Sequence, residues 1–265
     1  RIKEKDKLAL AIKEVFNQAK PKRVMGRKLI FGLPECQVYT HIFSLPVTEK
    51  IKEDNLRILI EDEAYKNIPL DKENLLLSYK ILIKKENSLE ILLVAVSREV
   101  ALEWKHFFQE LKLTVEFFDI ETLAIFRGLF DGVFDKPVCV VDLGAVTTNI
   151  AIFNQLGLCY SYTMNLAGNI FTREIASALE IPLAEAEERK KKIGLDKKDK
   201  KIYPLLSKQL DLIVEETKIA INYAQEKFYA DNPAPRKKVE QVVLVGGSSQ
   251  LLGLVEYFKA TFGGL

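Results

Sequence analysis

The residues best suited to chemistry in this chain follow two short apolar segments. The first segment, residues 138–141, leads to Asp142, and Gly144, Thr147 and Thr148 come directly after it. A glycine lets backbone N–H groups approach a phosphate, and threonine hydroxyls add hydrogen-bond donors. The carboxylate can hold a hydrated divalent cation against the same phosphate. The pattern predicts a phosphate-binding turn, although an ordinary β-hairpin with Asp142 at its turn fits equally well.

A second turn of this kind lies much later in the chain. The apolar residues 241–245 run into Gly246, Gly247 and Ser248, and the apolar residues 251–258 follow. A strand, paired glycines and then a helix let the backbone pass close to a nucleotide. One glycine pair alone is weak evidence, since it also occurs in plain connections. Two such turns in this order favour a nucleotide site.

A third cluster lies on a long predicted helix over 204–229. Glu215, Lys218 and Asn222 share one face of this helix, away from its apolar stripe. Glu215 and Lys218 can hold ribose hydroxyls and flank an adenine. The alternative is a surface ion pair worth only about 0.3 kcal/mol.

Composition limits the classes of function. The chain of 265 residues is 48% hydrophobic and 29% charged, with a net charge of +2, which predicts a globular protein with a core. The charge gives no reason to expect a nucleic-acid partner, and no apolar run approaches the ~20 residues that span a bilayer. We therefore expect no direct membrane insertion. The three cysteines lack metal-ligand spacing, which favours buried reduced thiols and a cytoplasmic location.

Periodicity predicts the elements that must position these turns. Predicted helices cover 7–19, 48–67 (capped by Thr48), 98–111, 121–129, 170–180, 182–192, 204–229 and 251–258. Predicted strands cover 27–33, 38–45, 75–83, 89–96, 114–118, 137–143, 147–154, 157–164 and 241–245. The lysine-rich stretch 189–201 is interpreted as solvated surface rather than an anion-binding site. This order of elements predicts an α/β protein.

The two turns resemble known nucleotide-binding loops. Residues 142–148 and 243–254 resemble the second phosphate loop and the adenosine loop of the actin-like ATPase superfamily. Glu215 and Lys218 resemble the residues that hold the ribose and adenine in its heat-shock chaperone members. The resemblance implies ATP and Mg²⁺ as ligands, with Asp142 holding the metal through water.

The connection over residues 119–124 resembles the one that places an acid near the metal-bound water in that superfamily. Thr122 stands where this connection usually has a proline. The resemblance implies Glu121 as the catalytic residue, with ATP hydrolysis that is slow at most.

Four further segments, three of them in the first half of the chain, point to one family that resembles this superfamily. Residues 29–46, 62–69, 93–99 and 184–195 resemble the PilM family of type IV pilus assembly proteins, which is similar to the cell-division protein FtsA. The implied fold is α/β, a two-lobed actin-like ATPase fold with a small extra subdomain in lobe 1. We expect lobe 1 to cover 1–135, with the extra subdomain at about 36–113. We expect lobe 2 to cover 136–265, with an actin-like core at 136–165 and 236–265 and a helical subdomain at about 166–235.

Two departures from the superfamily pattern stand out. The superfamily opens with a strand and a first phosphate loop, and we expect both to be missing from this chain, which begins at Arg1. The second loop usually has three glycines, but here Ala145 and Val146 follow Gly144, which leaves less room for a phosphate.

The resemblance implies a nucleotide-binding adaptor of a type IV pilus or related secretion assembly. Its partners would be the short cytoplasmic tail of a PilN-like inner-membrane protein and other pilus assembly components, so that a partner recruits it to the inner membrane. The apolar residues Val38, Tyr39, Ile42 and Phe43 on a predicted edge strand offer a peptide-binding surface, although they also fit a plain core. The alternatives are an FtsA-like filament-forming protein and a phosphotransferase of the actin-like superfamily.

Overall fold

The computed structural model describes residues 2–47, 53–68, 71–130, 136–229 and 238–262. The chain divides into two compact units, Arg1–Arg127 and Gly128–Leu265. Each unit contains helices packed on sheets, which confirms the predicted α/β class.

The described residues of unit 1 form two sheets. Its elements are α1 (Lys5–Gln18), β1 (Lys28–Leu33), β2 (Val38–Pro46), α2 (Glu53–Asn67), β3 (Leu75–Lys84), β4 (Ser88–Ser97), α3 (Arg98–Glu110), β5 (Thr114–Ile120) and α4 (Glu121–Leu129). Strand β1 pairs with β5 in parallel, and the antiparallel strands of the other sheet follow the order β2-β4-β3. The central strand β4 is apolar along most of its length, and its backbone pairs with a strand on both sides.

The strands described in unit 2 form a four-stranded sheet with the order β8-β7-β6-β9. Its elements are β6 (Val138–Leu143), β7 (Thr148–Asn154), β8 (Gly157–Met164), α5 (Gly168–Leu179), α6 (Leu183–Ile193), α7 (Ile202–Tyr229), β9 (Gln241–Val245) and α8 (Leu254–Phe262). Strands β6, β7 and β8 form an antiparallel meander, whereas β9 runs parallel to β6. The carboxyl ends of β6 and β9 therefore lie at the same edge of the sheet.

Most predicted elements agree with the structure to within a few residues. The helix predicted at 251–258 is an exception, because a 3₁₀ turn over Gly247–Gln250 comes first and α8 begins only at Leu254. The predicted cap Thr48 lies outside the described residues. Across the described ranges, no helix is long and apolar enough to cross a membrane.

Candidate functional site

Asp142 lies near the end of β6, opposite Asn149 of β7 and Val245 of β9. Burial raises the pKa of its carboxyl group above the ordinary value, and a hydrogen bond with the Asn149 side chain opposes this rise. A Cβ atom added at Gly246 would overlap the Asp142 carboxylate. The carboxylate from the first turn therefore lies directly against the backbone of the second.

The carbonyl oxygen of Gly144 joins the two turns. It accepts a hydrogen bond of 2.9 Å from the Ser248 hydroxyl and one of 3.1 Å from the backbone N–H of Gly168. The Gly144 N–H donates to the Thr147 carbonyl at 3.0 Å, which closes the hairpin turn. The parallel pairing of β6 with β9 thus brings Asp142, Gly144 and Ser248 together, as well as the N-terminus of α5.

The second turn requires a glycine at its first position. Gly246 has a φ of +83°, and a Cβ there would lie 2.5 Å from the Leu143 carbonyl oxygen. Both effects exclude an unstrained side chain. Gly247 is different, because a Cβ at that position would meet no atom of the described residues within 4 Å. Both glycines are exposed, so the backbone of this turn is accessible.

Thr148 occupies a different environment from the other turn residues. Its side chain is fully buried, and its hydroxyl donates a 2.6 Å hydrogen bond to the Leu166 carbonyl. This bond fastens the hairpin to the segment before α5. The predicted role of Thr148 as a ligand donor stays a prediction, and its hydroxyl would have to leave Leu166 to fulfil it.

Asn149 belongs to the site but was not predicted as a site residue. Its side chain is 6% exposed and forms a hydrogen bond with the Asp142 carboxyl group. Its Oδ1 atom has no hydrogen-bond partner among the described residues. A buried polar atom without a partner is costly and often marks a position that water or an ion completes. The oxygen beside Asp142 is compatible with a metal-bound water, so these residues fit Mg²⁺ held through water. The signal in the sequence was the hairpin register, which places residue 149 opposite 142.

A cavity of about 460 Å³ adjoins both glycine turns. Its lining includes Ala145, Gly168, Glu187, Lys190, Gly247 and Ser248. The cavity therefore continues from the two turns to the helices α5 and α6.

Lys190 is the only described lysine among the buried residues, at 7% exposed. Its ammonium group donates to the Gly168 carbonyl at 3.0 Å and to the Thr172 hydroxyl at 2.9 Å, and it lies 2.7 Å from the Glu187 carboxylate. Burial alone would raise the pKa of Glu187, but hydrogen bonds from Lys190 and Thr172 hold it below its ordinary value. The interpretation of 189–201 as solvated surface is wrong for Lys190, because α5 covers its side chain.

Glu215 and Lys218 form an ion pair of 2.8 Å, with side chains 63% and 38% exposed. Neither residue lines the cavity described above. Glu187 and Lys190 have the same spacing on α6 and do line it. An acid followed three residues later by a lysine thus occurs on α6 as well as on α7, and the pair on α6 is the one next to the glycine turns. The role of Glu215 and Lys218 stays a prediction.

Glu121, the predicted catalytic residue, is the first residue of α4 in unit 1. Its carboxylate accepts a 3.3 Å hydrogen bond from the backbone N–H of Glu35. The Glu35 carboxylate in turn accepts a 3.0 Å bond from the N–H of Thr122.

A largely apolar cavity of about 240 Å³ lies beside these residues, between the β2-β4-β3 sheet and the segments β5 and α4. We call it the unit 1 groove. Its lining includes Leu33, Val38, Val96, Phe118, Ile120 and Leu123.

Solved structures with similar folds are known. A chain of a PilM-PilN type IV pilus biogenesis complex gives a TM-score of 0.76 at 21% identity, covering 98% of this chain and 73% of that chain. MreB 5 of Spiroplasma citri bound to AMPPNP gives 0.52 at 18% identity, covering 63% and 59%. These similarities confirm the predicted actin-like ATPase fold.

Sequence relatives include cell division protein FtsA. The FtsA of Pseudomonas aeruginosa is 43% identical over 53 residues, or 20% of this chain and 13% of that protein. The FtsA of Neisseria meningitidis serogroup B is 26% identical over 145 residues, or 48% and 35%. The chain thus matches about a third or less of the length of these curated relatives.

A family model described as type IV pilus assembly protein PilM matches residues 1–263. That match spans both units, including the paired glycine turns of unit 2 and the groove of unit 1. The chain therefore belongs to the PilM family of type IV pilus assembly proteins.

Proposed function

We propose that this protein is a cytoplasmic nucleotide-binding adaptor that binds the tail of an inner-membrane partner. The observation that carries the nucleotide part is the contact of the Asp142 carboxylate with the backbone of Gly246. That contact joins an acid to an exposed glycine turn at one edge of the sheet. Phosphate binding needs accessible backbone N–H groups and a nearby means of holding a cation, and an exposed glycine turn beside a carboxylate supports both roles.

The phosphates of ATP would lie against the turns that contain Gly144, Thr147 and Gly246. Asp142 would hold Mg²⁺ through water, and the metal would neutralise phosphate charge. Burial raises the pKa of Asp142 and leaves its charge poorly solvated, so a bound cation nearby would be stabilising. Glu121 would orient the attacking water, with turnover that is slow at most.

The adenosine end of the nucleotide would enter the cavity beside Gly247 and Ser248. Two acid–lysine pairs compete for the role of holding it. Glu187 and Lys190 line the cavity, whereas Glu215 and Lys218 were selected by their resemblance to the chaperone members. We favour Glu187 and Lys190, because they line the cavity beside the glycine turns and Glu215 and Lys218 do not.

The partner would be the short cytoplasmic tail of a PilN-like inner-membrane protein, bound in the unit 1 groove. The similar fold in a solved complex of PilM with PilN supports this choice. An extended apolar peptide can place alternate side chains in such a groove. The partner would recruit the adaptor to the inner membrane and to other pilus assembly components.

Titration calorimetry of Asp142→Ala with Mg-ATP tests the nucleotide site. We expect binding to be lost while circular dichroism stays native. Asp142→Asn, which keeps the size of the side chain, should also fail. Wild-type affinity in Asp142→Ala would refute the proposal.

A second comparison separates the two acid–lysine pairs. Lys190→Met should weaken ATP binding at least tenfold, about 1.4 kcal/mol, whereas Lys218→Ala should change it less than threefold. The reverse ranking would assign the adenosine end to α7.

Tail binding is tested with a synthetic peptide of the partner's cytoplasmic tail. We expect micromolar affinity or better, about −8 kcal/mol, and slower amide exchange in β2, β4 and β5. Protection confined to unit 2, or no binding with or without ATP, would remove the adaptor role.

A further inference from the structure

Glu35 lies where the chain leaves β1 and enters the three-stranded sheet of unit 1. Its side chain is 9% exposed, and it lies in a 3₁₀ turn over Glu35–Gln37. The Trp104 indole N–H donates to the Gln37 side chain at 2.8 Å, which anchors this turn to α3. Glu35 is thus held on a fixed part of unit 1.

Two reciprocal hydrogen bonds connect Glu35 to the first turn of α4. The Thr122 N–H donates to the Glu35 carboxylate at 3.0 Å, and the Glu35 N–H donates to the Glu121 carboxylate at 3.3 Å. The N–H groups in the first turn of a helix have no acceptor within the helix. The Glu35 carboxylate supplies one from a distant part of the chain, and its negative charge suits the helix N-terminus.

The segments joined by these bonds are also opposite walls of the unit 1 groove. Val38, which follows the Glu35 turn, lines the wall formed by the three-stranded sheet, whereas Leu33, which precedes the turn, pairs with Ile120 in the β1–β5 sheet. Ile120 and Leu123, on either side of the helix start, line the other wall. The hydrogen bonds of Glu35 therefore fix the spacing of the two walls at one end of the groove.

We propose that Glu35 is a positioning residue that couples occupancy of the unit 1 groove to Glu121. The inference rests on the proposed function, in which the groove binds an apolar peptide tail. The closed walls are the arrangement that accepts the peptide, and the bound peptide holds the walls closed. By reciprocity, peptide binding strengthens both Glu35 hydrogen bonds and retains the Glu121 carboxylate on the Glu35 amide.

The Thr122 amide proton reports this coupling directly. Because the helix offers it no other acceptor, its hydrogen exchange depends on the Glu35 carboxylate. Glu35→Leu should speed that exchange and weaken the tail peptide, each by about tenfold, the effect of one hydrogen bond. Glu35→Gln keeps the acceptor oxygen and the side-chain size, and should stay within about threefold of wild type on both measurements.

The decisive measurement adds the synthetic tail peptide and follows exchange residue by residue. Thr122 exchange should slow on peptide addition in the wild type and in Glu35→Gln, and stay fast in Glu35→Leu. The coupling is overturned if all three proteins bind the peptide with equal affinity, or if the peptide does not change the rate of Thr122 exchange. Either result leaves the adaptor role intact. Absence of peptide binding to the wild type rejects the adaptor role and the coupling with it.

Thr122→Pro provides an independent test if Glu35→Leu does not fold. Proline is tolerated in the first turn of a helix, where it removes the N–H donor. The peptide should bind this variant about as weakly as Glu35→Leu, near tenfold below wild type. Wild-type affinity in a folded Thr122→Pro would contradict the role of Glu35.

Discussion

The two units of the chain are organised differently. In unit 2, a large buried cluster extends from the sheet residues Val141 and Ile150 to Phe171, Leu210 and Phe258 in the helices. In unit 1, the buried residues form smaller separate clusters, including one around Ile91 in the three-stranded sheet and one around Phe107 beside α3. The unit 1 groove borders two of these clusters.

This difference suits two kinds of site. A continuous, close-packed core holds the glycine turns of unit 2 in fixed positions, as phosphate binding requires. A site between separate clusters can adjust its walls, because fewer buried contacts resist the movement. The following predictions test whether unit 2 is the rigid unit and unit 1 the adaptable one.

The largest effect is expected at Gly246. Gly246→Val places a β-branched residue at a φ of +83° and pushes it into Leu143. We expect loss of nucleotide binding and a fall of about 4 kcal/mol in the free energy of unfolding of unit 2. Gly247→Ala is the control for stability, because its Cβ meets nothing. Chemical denaturation followed by circular dichroism measures both, and equal stability of the two variants would contradict the assignment.

The next largest effect is expected in the small core of unit 1. Ile91→Ala removes a fully buried side chain and should cost about 3 kcal/mol. Amide exchange should accelerate in β2, β3 and β4 while β6 to β9 keep their protection. Ile58→Ala, at a position that is 56% exposed, should change little. Equal acceleration in both units would show that they unfold together.

A smaller, pH-dependent effect is expected at Lys190. The folded state holds the pKa of Glu187 below its ordinary value of 4.5, so this interaction stabilises unit 2 above that pH and is lost as the pH falls through the folded pKa. Lys190→Met should lower the free energy of unfolding by about 1–2 kcal/mol at pH 7. Below about pH 4.5, the free energy of unfolding of this variant should depend less on pH than that of the wild type. Urea denaturation between pH 3 and pH 7 measures this change. The same pH dependence in the variant and the wild type would contradict a stabilising role for the Glu187–Lys190 pair.

The smallest effect is expected on the exposed face of α7. Lys218→Ala breaks an ion pair whose partners are both well exposed, so the free energy of unfolding should change by less than about 0.5 kcal/mol. Added salt should reduce even that difference. A loss above about 1 kcal/mol in thermal denaturation would show that Lys218 has a structural role beyond this pair.

Local patterns were enough to predict the two turns. Asp142 and Gly246 each follow a short apolar strand. A strand that ends in a turn is a local pattern, so neighbouring residues in the sequence are enough to predict it. The burial of Lys190 could not be read in this way. Lysine is usually exposed, and only the packing of α5 over α6 places Gly168 and Thr172 around its ammonium group.

The groove in unit 1 was also only partly predictable. The apolar edge residue Val38 was recognised as part of a possible peptide surface, and it lines the groove. The hydrogen bonds between Glu35 and the start of α4 join positions far apart in the chain. A single sequence contains no periodicity that relates such positions.

The parallel pairing of β6 with β9 also constrains how the protein folds. Val138 lies opposite Gln241, so the two glycine turns meet only after the chain has closed a long loop containing α5, α6 and α7. Such non-local pairing forms slowly, because the chain loses the entropy of the loop before the stabilising contacts between the strands are made. During synthesis the first turn emerges well before the second. A nascent chain therefore brings the two glycine turns together only when β9 docks beside a meander that has already emerged.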